Sequence, residues 1–134
     1  GNPTSVAMAP RVLARLAELV GTVRPDLPIV TDDVYAPFVE GFRSVMAALP
    51  GNTVGVFSLS KFFGCTGWRL GVVALAGDNV IDRRIAGLPE ATKRALDTRY
   101  GALAPAPRDL RFVDRLAADS RDVALNHTAG LSTP

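Results

Sequence analysis

The stretch TVGVFSLSKFFGCTGWRLG, residues 53–71, carries the strongest structural signal in the sequence. Its first six residues are rich in β-branched and aromatic side chains, which predicts a short strand. Lys61 follows this strand closely, and a loop with two glycines leads to a second apolar run at 68–75, which we expect to be another strand. The stretch therefore predicts two strands joined by a loop that holds a lysine at the edge of a core.

Helices are predicted on both sides of this stretch. Apolar residues recur at helical spacing over residues 8–23. Downstream, the spacing predicts one helical region at 80–100, interrupted at Gly87-Leu88-Pro89, and a second at 109–125. A linker with two prolines separates these two regions at 102–107.

A further strand is predicted upstream. Residues 27–31 form a short apolar run, which we interpret as a buried strand that ends at the pair Asp32-Asp33. Strands that alternate with helices indicate an α/β fold with a mainly parallel sheet, part of which we expect to lie outside this chain. We assign residues 1–101 to a large ligand-binding domain and residues 102–134 to a linker and a helix that leads onward.

Composition narrows the classes of protein that the chain can belong to. The 134 residues are 48% hydrophobic, enough for a core in one domain, and their net charge of +2 is scattered, which argues against nucleic-acid binding. A single cysteine, Cys65, allows no internal disulfide and suggests the cytoplasm. No apolar run is long enough to predict a membrane helix, and no pattern predicts a metal site.

Lys61 is the first candidate for chemistry. A lysine whose amine is partly buried becomes nucleophilic and suits Schiff-base formation, although a lysine at a strand end can equally extend into water. Arg69 lies across the glycine loop, where its guanidinium can clamp a phosphate, and Ser58 can add a hydroxyl. An amine beside a phosphate-binding arginine is the arrangement that pyridoxal 5′-phosphate requires.

Asp32 is the second candidate, because open α/β sheets bind ligands at the carboxyl ends of their strands. A carboxylate there can pair with a pyridine nitrogen, and Tyr35 can donate a hydrogen bond to the phenolic oxygen of the same ring. Asp32 and Asp33 are also typical turn-capping residues, and the sequence alone leaves open which of the two has which role.

Four motifs together resemble the fold-type I, class I aminotransferases. They are Asn2-Pro3-Thr4, Asp32-Asp33-Val34-Tyr35, Ser58-Leu59-Ser60-Lys61 and Gly67-Trp68-Arg69-Leu70-Gly71. The resemblance implies that Lys61 is the Schiff-base lysine and proton carrier and that Asp32 contacts the pyridine nitrogen. It further implies that Asn2 and Tyr35 contact the phenolic oxygen, and that Ser58 and Arg69 bind the phosphate.

Longer strings, above all residues 118–134, are similar to one subgroup of that family, the bifunctional aspartate β-decarboxylases. This resemblance implies conversion of L-aspartate to L-alanine and carbon dioxide, with an aminotransfer side reaction that uses a 2-oxo acid. It also implies a homodimer or a larger homo-oligomer. Two alternatives remain: an ordinary aminotransferase, and a non-catalytic regulator that keeps the fold.

The ends of the sequence read as positions inside a longer chain. In the resembling family, a second phosphate-binding loop and a stacking aromatic residue would precede Gly1, and the arginine that binds the substrate carboxylate would follow Pro134. We therefore expect the isolated chain to be poorly active or inactive. His127 is interpreted as a capping or packing residue, Cys65 as a small filler, and Trp68 with Phe62-Phe63 as core around the loop.

Overall fold

The structure, a computed structural model, describes residues 6–127, with side chains described as far as residue 121. The elements follow the predicted order. The helices are α1 Pro10–Thr22, α2 Val45–Ala48, α3 Val80–Ala86, α4 Glu90–Tyr100 and α5 Phe112–His127. The strands are β1 Ile29–Asp32, β2 Thr53–Ser58 and β3 Gly71–Ala74. Short 3-10 turns lie at Ala36–Phe38, Pro50–Asn52, Thr66–Trp68 and Pro107–Asp109.

The three strands form one sheet in the order β1-β2-β3. β1 and β2 are parallel, with Ile29 opposite Thr53, whereas β2 and β3 are antiparallel, with Ser58 opposite Gly71. The α/β class is confirmed, and the predicted parallel pairing applies to β1 and β2. β3 is antiparallel because the loop at 59–70 contains only a single helical turn, so the chain returns beside β2 instead of crossing to its other end.

The third strand begins later than the sequence predicts. Trp68 belongs to a 3-10 turn, and Arg69 adopts a left-handed conformation with φ of 51°, which interrupts an extended chain. The strand starts at Gly71, where a Cβ atom would lie 3.0 Å from the Phe57 carbonyl oxygen. A larger residue would therefore push the two strands apart, which explains why glycine opens β3.

Two predictions of burial were wrong. The strand upstream of Asp32 was expected to be buried, but Val30 is 72% exposed, because the described elements cover the face of β1 that holds Ile29 and Thr31 better than the face that holds Val30 and Asp32. Phe62, Phe63 and Trp68 were expected to be core, yet they are 49%, 57% and 70% exposed. The described residues leave all three largely exposed, so the loop that carries them lies at the surface.

The carboxyl-terminal helix is attached to α3 and α4 by polar contacts. The backbone N–H of Phe112 donates to Asp82 Oδ1 at 2.7 Å, and Tyr100 donates its hydroxyl to Asp119 Oδ2 at 3.0 Å. Partial burial raises the pKa of Asp82, but hydrogen bonds from Phe112, Asn79 and Arg111 outweigh this effect and hold the pKa below its usual value.

The domain boundary assigned between residues 101 and 102 stays a prediction.

Asn79 provides a test of this packing. It is 2% exposed, its Oδ1 caps α3 by accepting from the Asp82 N–H at 2.9 Å, and its amide donates to the Ala76 carbonyl at 3.0 Å. We expect Asn79→Ala to lower the free energy of unfolding by about 1–3 kcal/mol, because it removes the cap and leaves buried groups unpaired. Urea denaturation measures the change.

The matched control is Asp78→Ala, one residue earlier. The Asp78 side chain is 87% exposed, and its ion pair with Arg83 lies at the surface, so its loss should cost at most about 1 kcal/mol. Equal destabilisation by the two variants would contradict the role given to the Asn79 cap.

Candidate functional site

The sheet register brings Asp32 and Ser58 to the same face. Asp32 lies opposite Val56 in the parallel pair, and Ser58 follows Val56 by two positions on β2. Paired residues share a face of a sheet, as do residues two apart on a strand. The two polar side chains therefore lie on one face at the carboxyl ends of adjacent strands, the edge at which open α/β sheets bind ligands.

The structure also distinguishes the two adjacent aspartates. Asp33 is held by its neighbours: its Oδ1 accepts from the Thr31 hydroxyl at 2.9 Å, and its N–H donates to the Val56 carbonyl at 2.8 Å. Thr31 lies on the face of β1 opposite to that of Asp32. Asp32 is exposed, and it accepts one hydrogen bond, from the Val34 N–H at 3.1 Å. Each carboxylate thus accepts one described hydrogen bond, and the two differ in their place: Asp32 lies on the Ser58 face, whereas Asp33 bonds to Thr31 on the other face.

Lys61 lies on the turn that follows β2, where its carbonyl accepts from the Gly64 N–H at 3.3 Å. Gly64 has φ of 66°, which allows this tight turn. The sequence predicts the Lys61 amine at the edge of a core, and this prediction is wrong, because the residue is exposed in the described part of the chain. Like Phe62 and Phe63, Lys61 belongs to a loop that the described elements leave largely at the surface.

Ser58 and Arg69 border a common groove of about 210 Å³ on β2 and β3, which Ser60 also lines. The Ser58 hydroxyl accepts from the Ser60 N–H at 3.2 Å and donates to the Leu70 carbonyl at 3.5 Å, so it is already oriented. The Arg69 guanidinium donates to the Thr66 carbonyl at 3.3 Å, and among residues 6–121 no carboxylate forms an ion pair with it. A hydroxyl and an unneutralised guanidinium at one groove are suited to an anionic group such as a phosphate.

Tyr35 is linked to the Lys61 loop by aromatic contacts. Its ring centroid lies 6.3 Å from that of Phe38, which in turn makes an edge-to-face contact with Phe62 at 5.3 Å. The segment after β1 is thereby packed against the residue that follows Lys61. The other residue predicted beside Tyr35, Asn2, lies outside the described residues.

The structure also reveals groups that sequence reasoning missed. Ser60 lines the groove, and the Thr66 hydroxyl donates to the Ser60 carbonyl at 3.1 Å. The only signal in the sequence was the presence of small hydroxyl residues in a glycine loop, which does not reveal their partners.

A larger cavity of about 340 Å³ lies between α3, α4 and the start of α5, away from this groove. Its charges are mostly paired internally: Arg108 with Glu90 and Asp97, and Arg111 with Asp82. We assign the cavity no ligand. Within the described residues there is no group of metal-ligating side chains and no helix long and apolar enough to cross a membrane.

Comparisons with known proteins show the family of the chain. The family model for aminotransferase class I and II matches residues 1–88. A Pseudomonas protein named bifunctional aspartate aminotransferase and L-aspartate beta-decarboxylase is 57% identical over 133 residues, 99% of this chain and 25% of its own length.

Two further relatives are more distant. A probable N-succinyldiaminopimelate aminotransferase from Mycobacterium tuberculosis is 30% identical over 138 residues, 91% of this chain and 34% of its own length. An aspartate aminotransferase from Pyrococcus abyssi is 36% identical over 78 residues, 54% of this chain and 20% of its own length. The chain thus spans about a quarter of the length of the Pseudomonas relative and about a third of the mycobacterial one.

Proposed function

The chain belongs to the aminotransferase class I and II family, and from this we infer that it carries part of a pyridoxal 5′-phosphate site centred on Lys61. The residues present fit that cofactor. The groove offers a hydroxyl and an unneutralised guanidinium for a phosphate, and Asp32 offers a carboxylate on the same face of the sheet. A primary amine, on Lys61, lies on the turn that follows β2.

In the proposed site, Ser58 and Arg69 hold the phosphate. The guanidinium donates hydrogen bonds in a fixed plane, which suits a dianion, and the serine hydroxyl adds a further donor. Asp32 accepts a hydrogen bond from the ring nitrogen and keeps it protonated. Tyr35 and Asn2 donate to the phenolic oxygen. When bound, the cofactor supplies an electron sink for bonds that break at the substrate.

Lys61 has two tasks in this proposal. Its Nζ would anchor the cofactor through the cofactor's aldehyde, and it would also accept the proton of the substrate Cα and return it elsewhere. A lysine on a turn that follows directly after a strand suits both tasks, because the strand fixes its backbone while its long side chain moves.

We propose that the whole protein converts L-aspartate to L-alanine and carbon dioxide, and that it also transfers the aspartate amino group to a 2-oxo acid. The observation that carries this proposal is the 57% identity, over 99% of this chain, to a relative named for both activities. We also propose that the whole protein forms a homodimer or a larger homo-oligomer in the cytoplasm. The proposal includes no nucleic-acid or membrane partner.

The deciding experiment measures products of the full-length protein with L-aspartate. Alanine and carbon dioxide in equal amounts support the proposal. Formation of oxaloacetate that depends on an added 2-oxo acid, without carbon dioxide from the β-carboxylate, would instead support an ordinary aminotransferase, as the relatives named aspartate aminotransferase suggest. Absence of both reactions would favour a non-catalytic regulator.

The 134-residue chain by itself is expected to hold the cofactor weakly. Asp32, Lys61 and Arg69 are all exposed in the described structure, so water has free access to any covalent bond formed at Lys61. An absorbance titration of the purified chain with pyridoxal 5′-phosphate should show weak, readily reversed binding. Stable binding of one cofactor per chain would contradict this expectation.

A further inference from the structure

Thr66 makes two contacts at the centre of the Lys61 loop. Its hydroxyl donates to the carbonyl oxygen of Ser60 at 3.1 Å, and its own carbonyl accepts from Arg69 Nη1 at 3.3 Å. The Ser60 carbonyl belongs to the peptide that joins Ser60 to Lys61. One residue therefore contacts both the backbone of the candidate amine and the side chain of the candidate phosphate ligand.

Other bonds close the same loop without the Thr66 side chain. The Leu59 N–H donates to the Leu70 carbonyl at 3.2 Å, and the Cys65 N–H donates to the Leu59 carbonyl at 3.4 Å. The Trp68 N–H donates to the Cys65 carbonyl at 3.2 Å. Because backbone groups make all three bonds, we expect the loop to keep its path when the Thr66 hydroxyl is removed. The Thr66 hydroxyl restrains the orientation of the Ser60–Lys61 peptide.

We propose that Thr66 is a positioning residue, which holds the Lys61 backbone in a fixed relation to Arg69 so that the amine and the guanidinium reach one ligand together. The inference rests on the proposed function, in which Lys61 binds an aldehyde and Arg69 a phosphate on the same molecule. The two contacts of Thr66 differ in kind. The side chain restrains Lys61, whereas the backbone carbonyl accepts from Arg69 whichever residue stands at position 66.

This difference gives the test. In the full-length protein, Thr66→Val removes the hydroxyl and keeps the carbonyl and the β-branched shape, whereas Thr66→Ser keeps both hydroxyl and carbonyl. Two ligands are titrated against the apoprotein: pyridoxal 5′-phosphate, which can bond to Lys61, and pyridoxamine 5′-phosphate, which lacks the aldehyde. Thr98→Val is the matched control, because it removes a hydroxyl-to-carbonyl bond of 3.0 Å to Arg94, on α4.

We expect Thr66→Val to weaken pyridoxal 5′-phosphate binding about fivefold, the effect of one lost hydrogen bond. Binding of pyridoxamine 5′-phosphate should change by no more than about twofold, as should both affinities in Thr66→Ser and Thr98→Val. Thermal unfolding of each apoprotein reports folding separately.

Three results would overturn the inference: no loss in Thr66→Val, equal loss for both ligands, or the same loss in Thr66→Ser. Equal loss for both ligands would identify a general disturbance of the loop. If Lys61→Ala binds pyridoxal 5′-phosphate as tightly as the unmodified protein, the proposed function itself fails and this inference fails with it. This failure can be told apart from a failure of the inference alone, because it is measured without any Thr66 variant.

Discussion

Replacing Lys61 with alanine is expected to lower the rate of aspartate turnover by about a thousandfold or more, since it removes both the covalent anchor and the base. No other described amine lies on the loop between β2 and β3. Production of alanine and carbon dioxide by the full-length protein measures the effect under saturating aspartate and cofactor.

The chain offers a matched control, because it contains only one other lysine, Lys93. Lys93 lies on α4 and lines the separate cavity whose charges are largely paired. Lys93→Ala should change the rate by no more than about twofold. A Lys61→Ala protein that retained a tenth or more of the activity would remove Lys61 from its proposed role.

Asp32→Asn is expected to produce the second largest loss, on the order of a hundredfold. The substitution preserves shape but removes the negative charge that keeps the ring nitrogen protonated, so the cofactor becomes a weaker electron acceptor. The position in the sheet favours Asp32, since it shares a face with Ser58. Turnover of aspartate at saturating cofactor gives the measurement.

Asp33→Asn is the control for this experiment. The Asp33 carboxylate accepts from the Thr31 hydroxyl, a bond that an asparagine oxygen can still accept, and it lies toward the opposite face. The Asp33→Asn protein should turn over aspartate at a rate within about twofold of that of the unmodified protein. If Asp33→Asn caused the larger loss, the two aspartates would have been assigned the wrong way round.

Local signals explain why much of the fold could be predicted from the sequence. β2 occupies Thr53–Ser58 as expected, because its β-branched residues end at a turn. The break between α3 and α4 falls at Gly87 to Pro89, where a glycine and a proline interrupt the helical pattern. In each case neighbouring residues determine the structure.

Features that depend on distant residues were harder to predict. The late start of β3 follows from the left-handed backbone at Arg69, which arginine does not signal. Exposure of Lys61 and Trp68 depends on which elements cover the loop, and local pattern does not contain that information.

In the candidate site, too, some features follow from local residue types and others depend on distant residues. Residue types and spacing were enough to propose Lys61, Arg69 and the pair Asp32-Asp33 as candidates, and their roles stay predictions. Within the pair, the family resemblance implied Asp32, and the register between β1 and β2 supports that choice because Asp32 shares a face with Ser58. The contacts of Thr66 join residues on opposite sides of a loop and could not be read from composition.

Locating the covalent bond to the cofactor tests the proposed role of Lys61 most directly. The full-length protein is loaded with pyridoxal 5′-phosphate, reduced with borohydride to make the bond permanent, digested and mapped by mass spectrometry. We expect a reduced cofactor group on Lys61, one per chain, and none on Lys93. A modified protein in which Lys61 carries no such group, or in which Lys61 and Lys93 are labelled equally, would contradict it.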